Sequence, residues 1–200
     1  MVVRTHKLLW SIAFVLFAGI SVLVHPAIGL HGLSGQYFYK HPKLGFSLEY
    51  PLPLTAREFP NGVELNNDAV QINDRIHIDV TNTTLEPDRY YVERIAQNFK
   101  KFRSAQAGAI FKGAEFGDGA YTKVADLRVD GYQAVKVIYE YRQQRDTESE
   151  PELPLPPMYA VMVYIEKGAD IWEVASYAWN KESQQKSVPT FEVILRTLKF

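Results

Sequence analysis

Two side chains that can bind a metal ion lie two positions apart near the middle of the chain. His77 and Asp79 belong to residues 75–80, where polar and apolar side chains alternate. Alternation is the pattern of a strand with one buried face, so His77 and Asp79 share the other, solvated face. Asp74 lies close by in sequence, and an imidazole with carboxylates is a donor set for divalent cations. The pattern predicts metal binding at His77 and Asp79, with an ordinary solvated strand face as the alternative.

Paired carboxylates are a second possible source of chemistry. Glu140, Glu166 and Glu173 fall on or at the ends of predicted strands, and they would support hydrolysis if they converged in a cleft. Exposed strand faces, however, direct most carboxylates into solvent. The sequence also contains no nucleophile elbow, phosphate-binding loop or dinucleotide fingerprint. We therefore expect a protein that is not an enzyme, with no catalytic residues and no cofactor.

Composition narrows the classes of partner and of site. The chain has 22 basic and 23 acidic residues, which gives a formal charge of -1. A protein with this charge does not generally attract the phosphate backbone, so we expect no nucleic-acid partner. The chain contains no cysteine, which excludes disulfides, thiolate zinc sites and a cysteine nucleophile. With 46% hydrophobic residues in 200, it can bury one substantial core.

The first 29 residues have the features of a secretory signal peptide. Arg4 and Lys7 precede an uncharged apolar stretch at 8–24, and Ala27 and Gly29 place small residues where signal peptidase reads them. Cleavage is predicted after Gly29, which would release an exported protein into the periplasm, a thylakoid lumen or the extracellular space. The alternative is an uncleaved leader that tethers the domain to the membrane, because the apolar stretch is near the minimum length for a spanning helix.

The rest of the chain reads as a loosely structured lead-in at 30–44 followed by one domain at 45–200. Strands are predicted wherever side chains alternate or form short apolar runs, and Asp130-Gly131 predicts a hairpin because both residues tolerate positive φ. The predicted strands are 46–50, 68–81, 122–129, 132–142, 158–165 and 171–179, with a brief pairing segment at 63–65. Residues 143–157 are rich in proline and acidic side chains and predict an exposed loop.

Two helices are predicted by apolar side chains at helical spacing. The first begins near Pro87, after a possible capping box at 83–86, and the second carries Pro189 near its start. Their apolar stripes are Tyr91, Ile95, Phe99 and Phe102 in the first, and Val188, Phe191, Leu195 and Leu198 in the second. The expected fold class is α+β, a mainly antiparallel β-sheet sandwiched by helices in an α/β/α arrangement.

The order of these elements resembles the PsbP-like family. The resemblance is carried by residues 45–51, 129–134 and 191–200, and it covers essentially the whole chain after the leader. It implies an α/β/α sandwich and an exported, non-enzymatic module that binds a protein partner or helps assemble a membrane complex. In a photosynthetic host that complex would be photosystem II in the thylakoid lumen. No site residues carry over from the family.

Three aromatic residues are candidates for a partner-binding patch. Tyr90, Trp172 and Trp179 lie beside the first helical stripe or in the last predicted strand. They are expected to be core or core-edge residues, with a partner-binding role as the alternative.

Overall fold

The computed structural model describes residues 35–67, 76–113, 119–141, 159–178 and 180–200. The leader with Ala27 and Gly29, the acidic loop at 143–157, and Asp74 and Trp179 lie outside these ranges. Strands β1 to β5 are Gln36–Lys40, Ser47–Pro51, Thr55–Phe59, Gly62–Asn66 and His77–Asn82, and strands β6 to β10 are Ile110–Phe111, Gly119–Val129, Tyr132–Tyr141, Tyr159–Lys167 and Asp170–Ala178. Helices α1 and α2 are Arg89–Ser104 and Lys181–Thr197, and a 3₁₀ turn spans Thr83–Leu85.

Eight strands form one antiparallel sheet in the order β3-β4-β5-β10-β9-β8-β7-β6, and β1 pairs with β2 as a separate ribbon. The predicted hairpin at Asp130-Gly131 is confirmed, joining β7 to β8 with φ of 49° and 82° at its two turn residues. Positive φ at both positions gives a turn whose twist matches that of the strands it connects.

The sheet is covered on both faces, which confirms the predicted fold class. Alternate side chains of β9 show this division: Ala160, Met162 and Tyr164 pack in a core with α1, whereas Val161, Val163 and Ile165 pack in a second core with α2 and the β1–β2 ribbon. A strand buried on both faces needs apolar side chains at consecutive positions, which explains the uninterrupted apolar run of β9. Within the described ranges, no helix is long and apolar enough to cross a membrane.

Part of the segment predicted to be a loose lead-in is an ordered strand. Residues 36–40 form β1, and Tyr39 is fully buried while its neighbours Phe38 and Lys40 are exposed. The consecutive aromatic residues at 37–39 obscured this alternation in the sequence. Strand β3 was also not predicted; its alternating pattern is weak because most of its side chains are exposed at the sheet edge.

Helix α1 begins two residues later than the earliest predicted start, and the capping box at 83–86 is not formed. Asp88 caps the helix by accepting hydrogen bonds from the amides of Tyr90 and Tyr91, whereas residues 83–85 form the separate 3₁₀ turn.

The C-terminal end of α1 is capped by a side chain from strand β7 of the sheet. The fully buried ammonium group of Lys123 donates to the carbonyl oxygen of Ala105 at 2.7 Å. Lysine stabilises the negative end of the helix dipole in this position.

Helix α2 begins at Lys181, so Pro189 lies inside the helix rather than near its start. The helical turns before Pro189 bury polar side chains. Ser187 and Gln184 are buried and form hydrogen bonds to the hydroxyl of Ser176 in β10. An apolar-stripe search misses such turns, since their buried face carries hydroxyl and amide groups instead of hydrocarbon.

Candidate divalent-cation site

The predicted metal ligands His77 and Asp79 lie on β5, and Glu64 lies on the adjacent strand β4, all on the α1 side of the sheet. In β5, Asp79 pairs with Glu64 of β4 on one side and with Ala175 of β10 on the other. His77, two residues earlier, pairs with Tyr177 of β10. Because cross-strand partners point to the same face, this register places two carboxylates and one imidazole side by side.

Glu64, His77 and Asp79 each offer a ligand atom, and these three atoms lie within 4.8 Å of one another. The Nε2 atom of His77 is 3.0 Å from the Oδ1 atom of Asp79. A cation bound at about 2.1 Å to each of two atoms, with a right angle between the bonds, holds them about 3.0 Å apart. The His77 and Asp79 atoms therefore have a separation compatible with two ligands of one cation, and the Glu64 atom lies within 4.8 Å of both.

The site is open enough for a cation to enter from solvent. The side chains of His77 and Asp79 are 34% and 28% exposed, so neither is sealed in the core. Three protein ligands leave coordination positions for water or for a group from another molecule. The side-chain amide of Asn66 also donates to the Glu64 carboxylate, which orients this ligand.

Glu64 is the candidate ligand that sequence reasoning missed. It lies 13 positions before His77 in the printed sequence, and the two meet only because β4 and β5 pair in one particular register. The turn signal at Asn61-Gly62 and the short apolar alternation at 63–65 were visible, but they do not specify which strand becomes the neighbour of β4.

A buried acid lies beside the candidate site. Glu173 of β10 is only 5% exposed, and its Oε1 atom accepts a hydrogen bond from the hydroxyl of Tyr177 at 3.3 Å. Its Oε2 atom has no hydrogen-bond partner among the described residues. Burial raises the pKa of Glu173 to about 7, the nearby hydroxyls of Tyr164 and Tyr177 partly oppose this increase, and the negative charge of Asp79 adds to it.

The tyrosines around Glu173 are held in their neutral form. Burial raises the pKa of Tyr164 and of Tyr177 well above the ordinary range, and the nearby charge of Glu173 adds to both shifts. For Tyr91 of α1 the charge of Glu173 is the main cause of a raised pKa, with burial second. These hydroxyls therefore remain protonated and can act as hydrogen-bond donors at any ordinary pH.

The carboxylates considered for hydrolysis do not form a catalytic pair. Glu166 lies on the α1 face but pairs with Arg103 at 2.6 Å, whereas Glu173 bonds to Tyr177. Glu140 follows Tyr139 in β8, and the Tyr139 side chain packs in the core with α1. Successive side chains of a strand point to opposite faces, so Glu140 faces the other side of the sheet.

The aromatic residues singled out in the sequence have different environments. Trp172 is buried, as expected of a core residue, and Tyr90 is 60% exposed, so the prediction of a core or core-edge position was wrong for Tyr90. Tyr91 belongs to the apolar stripe of α1 that packs against the sheet. Tyr90 lies one position earlier, outside that stripe, so its ring faces away from the core.

No protein-family model and no curated protein matches this chain. Solved structures share its general arrangement. The structure of PA94, a protein of unknown function from Pseudomonas aeruginosa, is 11% identical, covers 78% of this chain and 91% of its own, and gives a TM-score of 0.40.

Two further structures give comparable matches. LpqN of Mycobacterium tuberculosis, which is involved in cell envelope biogenesis, is 10% identical over 82% of this chain and 89% of its own, with a TM-score of 0.43. Cyanobacterial PsbP (CyanoP) from Synechocystis sp. PCC 6803 is 10% identical over 86% of this chain and 98% of its own, with a TM-score of 0.46. At these identities and TM-scores, the matches assign neither a family nor a function to this chain.

Proposed function

We propose that this protein is an exported, non-catalytic binding module that holds a divalent cation at Glu64, His77 and Asp79. The observation that supports the proposal most directly is the convergence of three ligand atoms from two neighbouring strands within 4.8 Å. One imidazole with two carboxylates is a donor set that suits borderline cations such as Zn²⁺.

The surroundings of the site favour binding over catalysis. A catalytic metal works beside a cavity that holds its substrate. Two open clefts among the described residues lie around Arg103: one of about 470 Å³ against β7 and β8, and one of about 310 Å³ between α1 and Glu166 of β9. In the sheet order, β10 lies between the strands that line these clefts and the candidate site on β4 and β5. The free coordination positions of the cation would therefore be available to water or to a side chain from a protein partner.

The compartment and the partner are part of the same proposal. The leader at 1–29 supports export, and the PsbP-like sequence pattern supports association with a protein partner or membrane complex, which in a photosynthetic host would be photosystem II. We expect cation binding to contribute to that association, because a partner carboxylate can complete the coordination shell.

The cation site is tested by isothermal titration of Zn²⁺ into protein expressed from the full chain. We expect one Zn²⁺ per chain, and at least a tenfold weaker affinity in His77→Ala and in Glu64→Gln, because each removes one ligand. The matched controls are Thr81→Ala, on the same face of β5, and Glu166→Gln, on the same face of the sheet. Wild-type protein that binds no Zn²⁺, or variants that bind as tightly as wild type, would contradict the proposal.

The exported role is tested by the intact mass of the protein and by affinity capture from the host envelope. A chain beginning at Leu30 is expected, together with recovery of a defined complex that is reduced by His77→Ala or by chelator. Retention of residue 1 would indicate a membrane tether, and capture that is insensitive to the cation would exclude a role of the site in partner binding.

A further inference from the structure

We propose that Tyr177 is a positioning residue for His77, and that the buried carboxyl group of Glu173 holds Tyr177 in place. This inference rests on the proposed cation site, because it concerns how one ligand of that site is oriented. Neither residue belongs to the ligand set itself.

The contact between Tyr177 and His77 is direct. The two residues are cross-strand partners in the β5–β10 register. Their ring centroids are 5.6 Å apart and the ring planes meet at 82°, an edge-to-face arrangement. A ring packed in this way restricts rotation of the imidazole, and the orientation of a histidine ligand determines whether its Nε2 atom points at the cation.

Tyr177 is fixed at its other end by Glu173. The tyrosine hydroxyl donates to Oε1 of Glu173 at 3.3 Å, and the two residues lie four positions apart on the same face of β10. Ala175 lies between them, and its small side chain leaves space for the Tyr177 ring along the strand. The ring is thus held between a hydrogen bond at its hydroxyl and the imidazole at its edge.

An acid at position 173 is unusual for a purely structural residue. It is almost fully buried, it is paired with no cation among the described residues, and one of its oxygens has no hydrogen-bond partner there. Burying a polar group without full compensation costs stability. Glu173 accepts a hydrogen bond from the hydroxyl of Tyr177, and this contact leads directly to His77.

The test measures Zn²⁺ affinity and the visible spectrum of bound Co²⁺ in protein expressed from the full chain. Tyr177→Leu removes the ring, and Tyr177→Phe keeps the ring but removes the hydroxyl. We expect Tyr177→Leu to weaken Zn²⁺ binding at least tenfold, Tyr177→Phe to weaken it about three- to tenfold, and both to alter the Co²⁺ spectrum, because outer contacts tune a metal ligand. Tyr139→Phe, on the same face of the sheet, is the control and should bind as wild type.

Glu173 is tested in the same assay. Glu173→Gln keeps an acceptor for the tyrosine hydroxyl and should bind Zn²⁺ within about twofold of wild type, whereas Glu173→Leu removes the acceptor and should reproduce the effect of Tyr177→Phe. Thermal unfolding of each variant shows that the fold is retained. The double variant Glu173→Leu, Tyr177→Phe should be no weaker than either single variant, because both changes break one contact.

The outcomes separate this inference from the proposed function. If His77→Ala loses Zn²⁺ binding while Tyr177→Leu and Tyr177→Phe keep wild-type affinity and Co²⁺ spectrum, the positioning role is wrong and the cation site stands. If wild-type protein binds neither metal, both are wrong.

Discussion

At the scale of single residues, Glu173 is a carboxyl group whose pKa is strongly raised by its surroundings. Its carboxyl group has an ordinary pKa of 4.5, and burial raises this value to about 7 in the folded protein. The folded state therefore holds the proton more tightly than the unfolded state does. Stability is unaffected by this group below about pH 4.5, decreases as the pH rises from there to about 7, and remains lower at higher pH.

The substitution Glu173→Gln should remove this pH-dependent loss. In chelator-treated protein at pH 8.5, we expect Glu173→Gln to be more stable than wild type by about 3 kcal/mol, which is the shift converted at about 1.4 kcal/mol per pKa unit. The difference should disappear at pH 4, where both side chains are neutral. Urea unfolding at the two pH values measures it, with Glu93→Gln, at an exposed position of α1, as the control. A stability difference that does not vary with pH would show that the carboxyl group ionises normally.

The residue scale also shows why two of the three proposed cation ligands were predictable and the third was not. His77 and Asp79 belong to one strand, so the alternation of side chains alone places them on one face. Glu64 joins them through the β4–β5 register. Local sequence does not encode that register, because it depends on which two strands become neighbours.

At the scale of elements, α2 contains a proline that interrupts its backbone hydrogen bonding. Pro189 lies in the interior of the helix and is exposed to solvent. It has no amide hydrogen for the carbonyl of Gln185, so one bond of the helical ladder cannot form. Proline at this position restricts the unfolded chain, but this gain is smaller than the loss within the helix.

We therefore expect Pro189→Ala to stabilise the protein by about 1–2 kcal/mol, because alanine restores the missing hydrogen bond and has the highest helix propensity. The midpoint of urea unfolding should increase. Gln185→Ala, an exposed substitution one turn earlier, should change it by only a few tenths of a kcal/mol. An unchanged or lower midpoint in Pro189→Ala would mean that the proline fits a bend needed for packing.

In both helices, the apolar pattern predicted the centre of the helix but not the residue at which it begins. The apolar stripe of α1 located its centre, but the start depends on the cap at Asp88, which was not distinguished from the alternatives at 83–87. In α2 the turns before Val188 bury Ser183, Gln184 and Ser187 against the sheet. Polar residues predict exposure, so the buried polar face shortened the predicted helix.

At the scale of the whole molecule, residues 198–200 connect parts that are distant in sequence. Lys199 exchanges two backbone hydrogen bonds of 2.8 Å with Ser47 of β2. The amide of Phe200 and the ammonium group of Lys199 donate to Asp130, in the β7–β8 turn, at 2.9 and 3.0 Å. The Phe200 ring packs edge-on against Trp172, with centroids 4.9 Å apart. This C-terminal strap therefore joins the ribbon, α2 and the main sheet.

The charge on Asp130 should stabilise the strap. The hydrogen bond from the amide of Phe200, followed by that from Lys199, lowers the pKa of Asp130 below its ordinary value. The resulting stabilisation is present above the pKa of the unfolded chain, about 3.9, and is lost as the pH falls through the lower pKa of the folded protein.

Asp130→Asn is the appropriate test because asparagine, like aspartate, tolerates the positive φ of this turn. At pH 7 we expect a loss of about 1 kcal/mol in the free energy of unfolding, because a charged acceptor is replaced by a neutral one. The loss should shrink below pH 3. Glu93→Gln, which removes a carboxylate exposed on α1, is the control at pH 7. Equal stability of Asp130→Asn and wild type at pH 7 would show that the strap does not depend on the charge.

The sequence by itself determined the class of the fold and the chemistry available to it. The period-2 runs, the Asp130-Gly131 turn and the two apolar helical stripes are local signals, and together they indicated an antiparallel sheet between helices before any contact was known. The predicted leader and the pair of His77 and Asp79 are likewise properties of short segments, and the absence of cysteine follows from composition alone.

Only the tertiary structure decided which of these side chains act together. It brought Glu64 to His77 and Asp79 by strand pairing, and it buried Glu173 by placing α1 over one face of β10. The same side chain in the same strand would be an ordinary solvated carboxylate if that face were open. The physical reason is that ligand convergence and burial depend on contacts between segments far apart in the chain, whereas alternation, turns and helical stripes depend only on neighbours in sequence.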